Sequence, residues 1–161
     1  MEKSISYYPF PISLKIMKAL IQRVKNASVS IEGEIYSSIG FGMLILLGVE
    51  KEDELENAQK LAEKLVNLRI FDDKDDKMNQ SLLDVKGEIL VVSQFTLMGD
   101  CKKGTRPSFD KAAPSDKANK LYENFVKIIS QYGLKVETGK FQAMMDISLV
   151  NQGPVTFMIE K

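Results

Sequence analysis

Residues 41–49, Phe-Gly-Met-Leu-Ile-Leu-Leu-Gly-Val, form a nine-residue run without one polar side chain. Successive residues of a strand point to opposite faces, so a run that is apolar at every position suits a strand covered on both sides. The run is far short of the ~20 apolar residues that a membrane-spanning helix needs. The spacing therefore predicts a sheet with this segment at its centre.

Shorter strands are expected before it. Residues 18–25 and 27–32 are rich in Leu, Ile and Val, and residues 34–39 can pair back through a turn at Glu32-Gly33. Val29 and Ile31 alternate with Ser28, Ser30 and Glu32, as in a half-exposed antiparallel strand. After the central run, Leu55, Ala58, Leu61, Ala62, Leu65 and Leu68 fall on one helical face, with Asp53 as the expected cap and Glu56 three positions on. Residues 72–80 read as a solvated polar loop, since no register supplies the glycine and acids of a calcium loop. Strands are predicted over 81–86 and 88–97, joined at Lys86-Gly87, then a long connection over 98–113. A second helix starts near Pro114-Ser115, carries Ala118, Leu121, Tyr122, Phe125, Ile128, Ile129 and Tyr132 on its apolar side, and stops at Gly133. Strands near 134–141, 145–150 and 155–160 close the chain, with Asn-Gln-Gly-Pro as a turn between the last two.

The order strands, helix, strands, helix, strands implies an α/β fold, a mixed or antiparallel sheet in three layers with two main helices. So many strands exceed what two helices can cover, so a homodimer in which sheets pack across the interface is expected. Residues 17–161 are taken as one domain. Residues 1–16, with two prolines and no apolar core of a signal peptide, are taken as an N-terminal extension.

What is missing narrows the chemistry. The chain has no histidine, which excludes Ser-His-Asp and Cys-His catalysis and His-ligated zinc. One cysteine, Cys101, allows no intrachain disulfide and no thiolate cluster, so no metal site is expected. Twenty-two basic residues balance 22 acidic ones, which argues against non-specific coating of nucleic acid but leaves room for a local basic patch.

Three segments remain as candidates for chemistry. Ser93, Gln94, Phe95 and Thr96 end a hydrophobic strand and could line a pocket mouth; on spacing alone, satisfying loop backbone groups is the simpler role for Ser93 and Thr96. Gly153 and Pro154 are explained by a plain turn, although a cis bond there could hold two carbonyls toward a ligand. Lys102, Lys103 and Arg106 place three cations within five residues, suited to phosphates or merely to solvent.

Together these segments resemble a D-aminoacyl-tRNA deacylase. The resemblance rests on the opening MKALIQRVKNASV, on LRIFDD, KMNQSLLDVKGEILVVSQFTL and KGTRPSF, and on the closing NQGPVTF. It implies a cytoplasmic homodimer, without a cofactor, that hydrolyses the ester joining a D-amino acid to the 3′-terminal ribose of tRNA, and that also removes glycine from tRNA for alanine. The partners implied are the aminoacyl-tRNA 3′ end and a second copy, with neither DNA nor a membrane. Ser93, Gln94, Phe95 and Thr96 would line the pocket. Gly153 and a cis Pro154 would enter the other subunit's pocket and exclude L side chains, with Arg23 anchoring them. Lys102, Lys103 and Arg106 would be available to tRNA. Gln152 stands where many members have Asp, and Phe141-Gln142 where Phe-Gly is common. Two alternatives stay open: a related proofreading deacylase with a trans Gly-Pro bond acting on small L-aminoacyl-tRNA, and a non-catalytic tRNA-binding module.

Overall fold

The computed structural model describes residues 16–161; the expected extension, apart from Ile16, lies outside the described residues. The chain opens with three long strand segments. Strand β1 (Lys18–Ile31) turns through Glu32 and Gly33 into β2 (Glu34–Ile39), and β3 (Gly42–Gly48) continues along the same edge of β1. Both turn residues have positive φ, +50° at Glu32 and +81° at Gly33, the primed geometry that matches the twist of a hairpin. The two predicted strands at 18–25 and 27–32 are one element.

Helix α1 (Leu55–Asn67) follows. Its cap is Glu54 rather than Asp53, with Asn57 Oδ1 accepting from the Glu54 N–H at 2.8 Å. Asp53 is turned inward instead, where one carboxylate oxygen accepts from the Glu50 N–H at 2.7 Å and closes the preceding turn. The polar stretch after α1 contains a small hairpin, β4 (Phe71–Asp72) with β5 (Met78–Gln80), organised by Asp73, whose carboxylate accepts from the N–H groups of Asp75 and Lys77 and from the Asn79 amide. The strand expected over 81–86 is a short helix, α2 (Leu82–Val85). Ser81 Oγ accepts from the Asp84 N–H and Asp84 returns the bond, a local capping box that overrides the strand-like composition.

Strand β6 (Glu88–Ser93) runs parallel to β3, and helix α3 (Ser115–Ser130) leads to β7 (Val136–Thr138), parallel to β6. The last strand, β8 (Asp146–Glu160), pairs with the other edge of β1 along its length. It is a single element where two strands and a turn were expected.

The central run behaves as its composition requires. β3 lies between β1 and β6, and Met43, Ile45 and Leu47 face α1 and α3, whose Leu61, Leu65, Leu121 and Phe125 complete one core. Leu44 faces the other way, into a second cluster with Val24, Val29, Ile39, Leu90 and Val92. The sheet curls around this second cluster until Ser37 Oγ of β2 donates to the Thr138 carbonyl of β7 at 2.7 Å. The fold is thus a mixed, nearly closed sheet with the long helices on one face. Among the described residues no helix is long and apolar enough to cross a membrane.

Candidate active site at the end of β6

The site begins where β6 stops. Ser93 pairs with Leu47, the Gln94 N–H donates to the Leu47 carbonyl at 2.7 Å, and the chain then turns into a 3-10 helix, Phe95–Met98. Gly48 permits the turn: a Cβ there would stand 2.9 Å from Met98 Cε and 3.0 Å from Leu97 Cβ. The strand expected over 88–97 therefore ends four residues early, at Ser93. The turn instead presents Ser93, Gln94, Phe95 and Thr96 along one wall of a cleft of about 790 Å³. Gln94 Nε2 donates to Thr96 Oγ1, which ties the two polar side chains together.

The other walls come from Ala113, Ser115 and Ala118 at the start of α3 and from Phe141 to Met145. Spacing marks Ser115 and Ala118 only as helix positions and the rest not at all; Phe141-Gln142 stood out only through the resemblance, as a departure from Phe-Gly. Gln142 has φ +61°, a conformation that glycine adopts freely and other residues seldom do. Beneath the cleft, the Tyr122 hydroxyl donates to the Val91 carbonyl at 2.9 Å, and burial pushes its pKa up to about 12. That phenol is a fixed strut, not an acid. A shallower depression of about 560 Å³ beside Lys60 and Lys64 on α1 contains none of the motif residues.

Gly153 and Pro154 lie elsewhere, exposed in the middle of β8. The Gly153-Pro154 bond is cis. Gln22 pairs with Thr156 and Val24 with Asn151, so Arg23 alone faces the segment Gln152, Gly153, Pro154 and Val155. The Asn151 side chain spans the bulge, accepting from the Val155 N–H at 2.8 Å and donating to Thr156 Oγ1 at 2.9 Å. Arg23 is buried beneath it. Its Nε donates to the Gln152 carbonyl at 3.0 Å, and its Nη1 reaches the Ile70 carbonyl at 2.9 Å and Asp72 Oδ1 at 3.2 Å. Gln152 contributes only its carbonyl to this bond, so a different side chain there leaves it intact. The part played by Ile70 and Asp72 carries no spacing signal, because β4 is remote in sequence from both Arg23 and the bulge.

Lys102, Lys103 and Arg106 are exposed on a loop closed by a two-bond bridge between Asp100 and Ser108. Among the described residues none of the three is in an ion pair, and none lines the cleft.

The family model for D-Tyr-tRNA(Tyr) deacylase matches residues 20–160. The chain belongs to this family. A D-aminoacyl-tRNA deacylase of Thermosipho africanus (strain TCF52B) is 59% identical over 144 residues, 89% of this chain and 97% of the relative. One of Desulfatibacillum aliphaticivorans is 58% identical over 144 residues, 89% of this chain and 99% of its own. A solved structure described as c-Myc DNA Unwinding Element Binding Protein aligns with a TM-score of 0.85 and 39% identity, covering 89% of this chain and 98% of that one. A second, described as a probable eukaryotic D-amino acid tRNA deacylase, aligns with a TM-score of 0.80 and covers 91% and 100%; at 18% identity it shows the fold alone. The chain thus spans nearly the whole length of its deacylase-family relatives, and the match takes in both the cleft wall and the β8 bulge.

Proposed function

We propose that this chain hydrolyses the ester of D-aminoacyl-tRNA, and of glycyl-tRNA for alanine, releasing the free amino acid and tRNA as chirality proofreading in translation. The observation that carries the reading is the cleft whose wall is Ser93–Thr96, in a chain that matches the deacylase family from end to end of its fold. The terminal adenosine and its aminoacyl group would lie along this wall. Its chemistry suits an ester that is already activated. Water attacks the carbonyl carbon, the neighbouring ribose hydroxyl assists in orienting or deprotonating that water, and the C–O bond to the ribose breaks as the departing ribose oxygen takes up the proton that water gives up. The first N–H groups of a 3-10 helix have no intrahelical acceptor, so those of Phe95 and Thr96 are available to the developing oxyanion. No step requires histidine.

Gly153 and Pro154 serve as the chirality filter. They are exposed and absent from the cleft of their own chain, which supports a role in the cleft of a second copy. In that homodimer the free edge and exposed face of β8, with Val150, Phe157 and Met158 solvent-facing in the single chain, supply surface for sheet packing. Residues 17–161 form the deacylase domain, and the setting is the cytoplasm, where tRNA is charged. Lys102, Lys103 and Arg106 meet the tRNA backbone.

The test is deacylation of matched D- and L-tyrosyl-tRNA by purified protein. Fast loss of the D ester with the L ester intact is the expected result. Equal rates would refute the filter, and binding of both without ester loss would leave only a tRNA-binding module.

A further inference from the structure

Among the described residues Phe109 is not part of the cleft lining, yet it stands between the cleft wall and the loop that carries Lys102, Lys103 and Arg106. Its ring packs against that of Phe95, with centroids 5.1 Å apart and planes tilted by 55°. Phe95 is 57% exposed on the cleft wall, and a side chain so open to solvent has little else to fix its rotamer. Gly99 makes room for the contact. A Cβ on Gly99 would stand 3.1 Å from Phe109 Cε1 and 3.0 Å from the Thr96 carbonyl oxygen, so a larger residue would press the ring and the 3-10 helix apart by a few tenths of an ångström.

The backbone around Phe109 is pinned on both sides. On one side Asp100 and Ser108 exchange N–H···O bonds of 2.7 and 2.9 Å, which closes the loop carrying Lys102, Lys103 and Arg106. On the other, the Ala112 N–H donates to the Phe109 carbonyl at 3.0 Å and the Ala113 N–H to the Val49 carbonyl at 3.0 Å, and Ala113 is itself part of the opposite cleft wall. The ring therefore stands at the junction of the basic loop, the 3-10 helix and the first turn of α3. A partly exposed aromatic, 38% accessible, contributes little to the core, so its placement is explained by what it holds.

We infer that Phe109 is a positioning residue for the deacylase cleft: through its ring it fixes Phe95 in the orientation against which the terminal nucleoside of the substrate lies. The inference rests on the reading of the Ser93–Thr96 cleft as the active site. Phe109 acts through Phe95 alone and makes no substrate contact of its own.

The experiment is a double-mutant cycle on Phe95 and Phe109, read with D-tyrosyl-tRNA and with 3′-O-D-tyrosyl-adenosine, which lacks the tRNA body. Phe109→Ala is expected to lower kcat/KM by about tenfold on both substrates, mainly through kcat, because a misaimed ring costs alignment rather than charge attraction. Phe109→Tyr, which keeps the ring, is expected to restore activity, whereas Phe109→Leu, which fills the space without a ring, is not. Phe95→Ala combined with Phe109→Ala is expected to lose no more than Phe95→Ala alone, since a residue that acts through another adds nothing once that one is gone. Additive losses, or wild-type kinetics for both Phe109→Ala and Phe109→Leu, overturn the inference. Should Phe109→Ala fail to fold, the Leu and Tyr variants decide the matter by the same comparison. If Phe95→Ala itself leaves both substrates turning over normally, the cleft reading falls; if Phe95→Ala is impaired and the Phe109 variants are not, only the positioning role does.

Discussion

Arg23 Nε donates to the Gln152 carbonyl at 3.0 Å, at the first of the two places along β1 where it falls out of step with β8. The same guanidinium reaches the Ile70 carbonyl and the Asp72 carboxylate, so one buried side chain joins β1, the β8 bulge and the segment leading into β4. An ammonium group on a flexible stem cannot reproduce a planar fork with these directions. Arg23→Lys is therefore expected to keep the fold but lower D-tyrosyl-tRNA hydrolysis by about tenfold or more. Arg23→Ala leaves two carbonyls and a carboxylate without their partner and is expected to cost about 3 kcal/mol in urea unfolding. Wild-type turnover in Arg23→Lys would show that the bulge holds its shape without this bond.

Gly153 has φ +129°, a backbone conformation almost closed to L residues, and a Cβ there would lie 2.9 Å from Val155 Cγ2 and 3.1 Å from Arg23 Nη2. Gly153→Ala thus forces strain of about 1–3 kcal/mol onto the bulge or reshapes it. Because the bulge is exposed, the cost should fall on function more than on the core. The expected outcome is a cooperative thermal transition lowered by a few degrees, with D-tyrosyl-tRNA hydrolysis reduced at least tenfold. Unchanged hydrolysis would remove the bulge from the active assembly.

The parts of this molecule legible in the sequence are those with a simple period. The uninterrupted apolarity of Met43–Leu47 placed it at the sheet's centre, and the helical spacing of Leu61, Leu65, Leu121 and Phe125 located both long helices, because burial on one or two faces leaves that imprint directly. Local polar bonds were harder to read. Ser81-Leu-Leu-Asp84 looks strand-like until its reciprocal cap is seen, and Asp53 looks like a cap while its carboxylate in fact faces the interior. Phe95–Met98 continues a strand pattern, yet packing over Gly48 bends it into a 3-10 helix. Asn151–Thr156 has the composition of a turn and is a bulge within one strand, since the long partner β1 continues past it on both sides. At the site, the family resemblance singled out Ser93–Thr96 and Gly153-Pro154; Ile70, Asp72 and Phe109 lie within its segments too, but the contacts they make arise from tertiary packing and have no local signature.

Thr96 accepts a hydrogen bond from Gln94 Nε2 and, among the described residues, has no titratable base as a hydrogen-bond partner. A threonine nucleophile needs such a base. In single-turnover deacylation of D-tyrosyl-tRNA, Thr96→Ala is accordingly expected to stay within about tenfold of the wild type. A fall of several orders of magnitude, or a trapped covalent ester on Thr96, would replace the water-attack mechanism with an acyl-enzyme one.

Asp53 is fully buried, and its Oδ1 has no hydrogen-bond partner among the described residues. Burial raises its pKa to about 6; the bond from the Glu50 N–H and the charge of Lys117 oppose the shift, and the Glu50 carboxylate adds to it. The sign follows from comparing states. Below the ordinary value of 3.8 the group is protonated whether the chain is folded or not, and it has no effect. As pH rises toward 6 the unfolded chain ionises Asp53 while the folded chain resists, so this residue destabilises the fold progressively and the penalty levels off above about pH 7. A rise from 3.8 to about 6 corresponds to roughly 3 kcal/mol. Asp53→Asn keeps an acceptor for the Glu50 N–H and cannot ionise. The difference in unfolding free energy between Asp53→Asn and wild type is therefore expected to move in favour of the variant by up to about 3 kcal/mol between pH 4 and pH 7, with no further change above. Urea titrations across that range measure it. A difference independent of pH would mean that Asp53 ionises in the folded chain as easily as in the unfolded one, and that its buried oxygen is solvated after all.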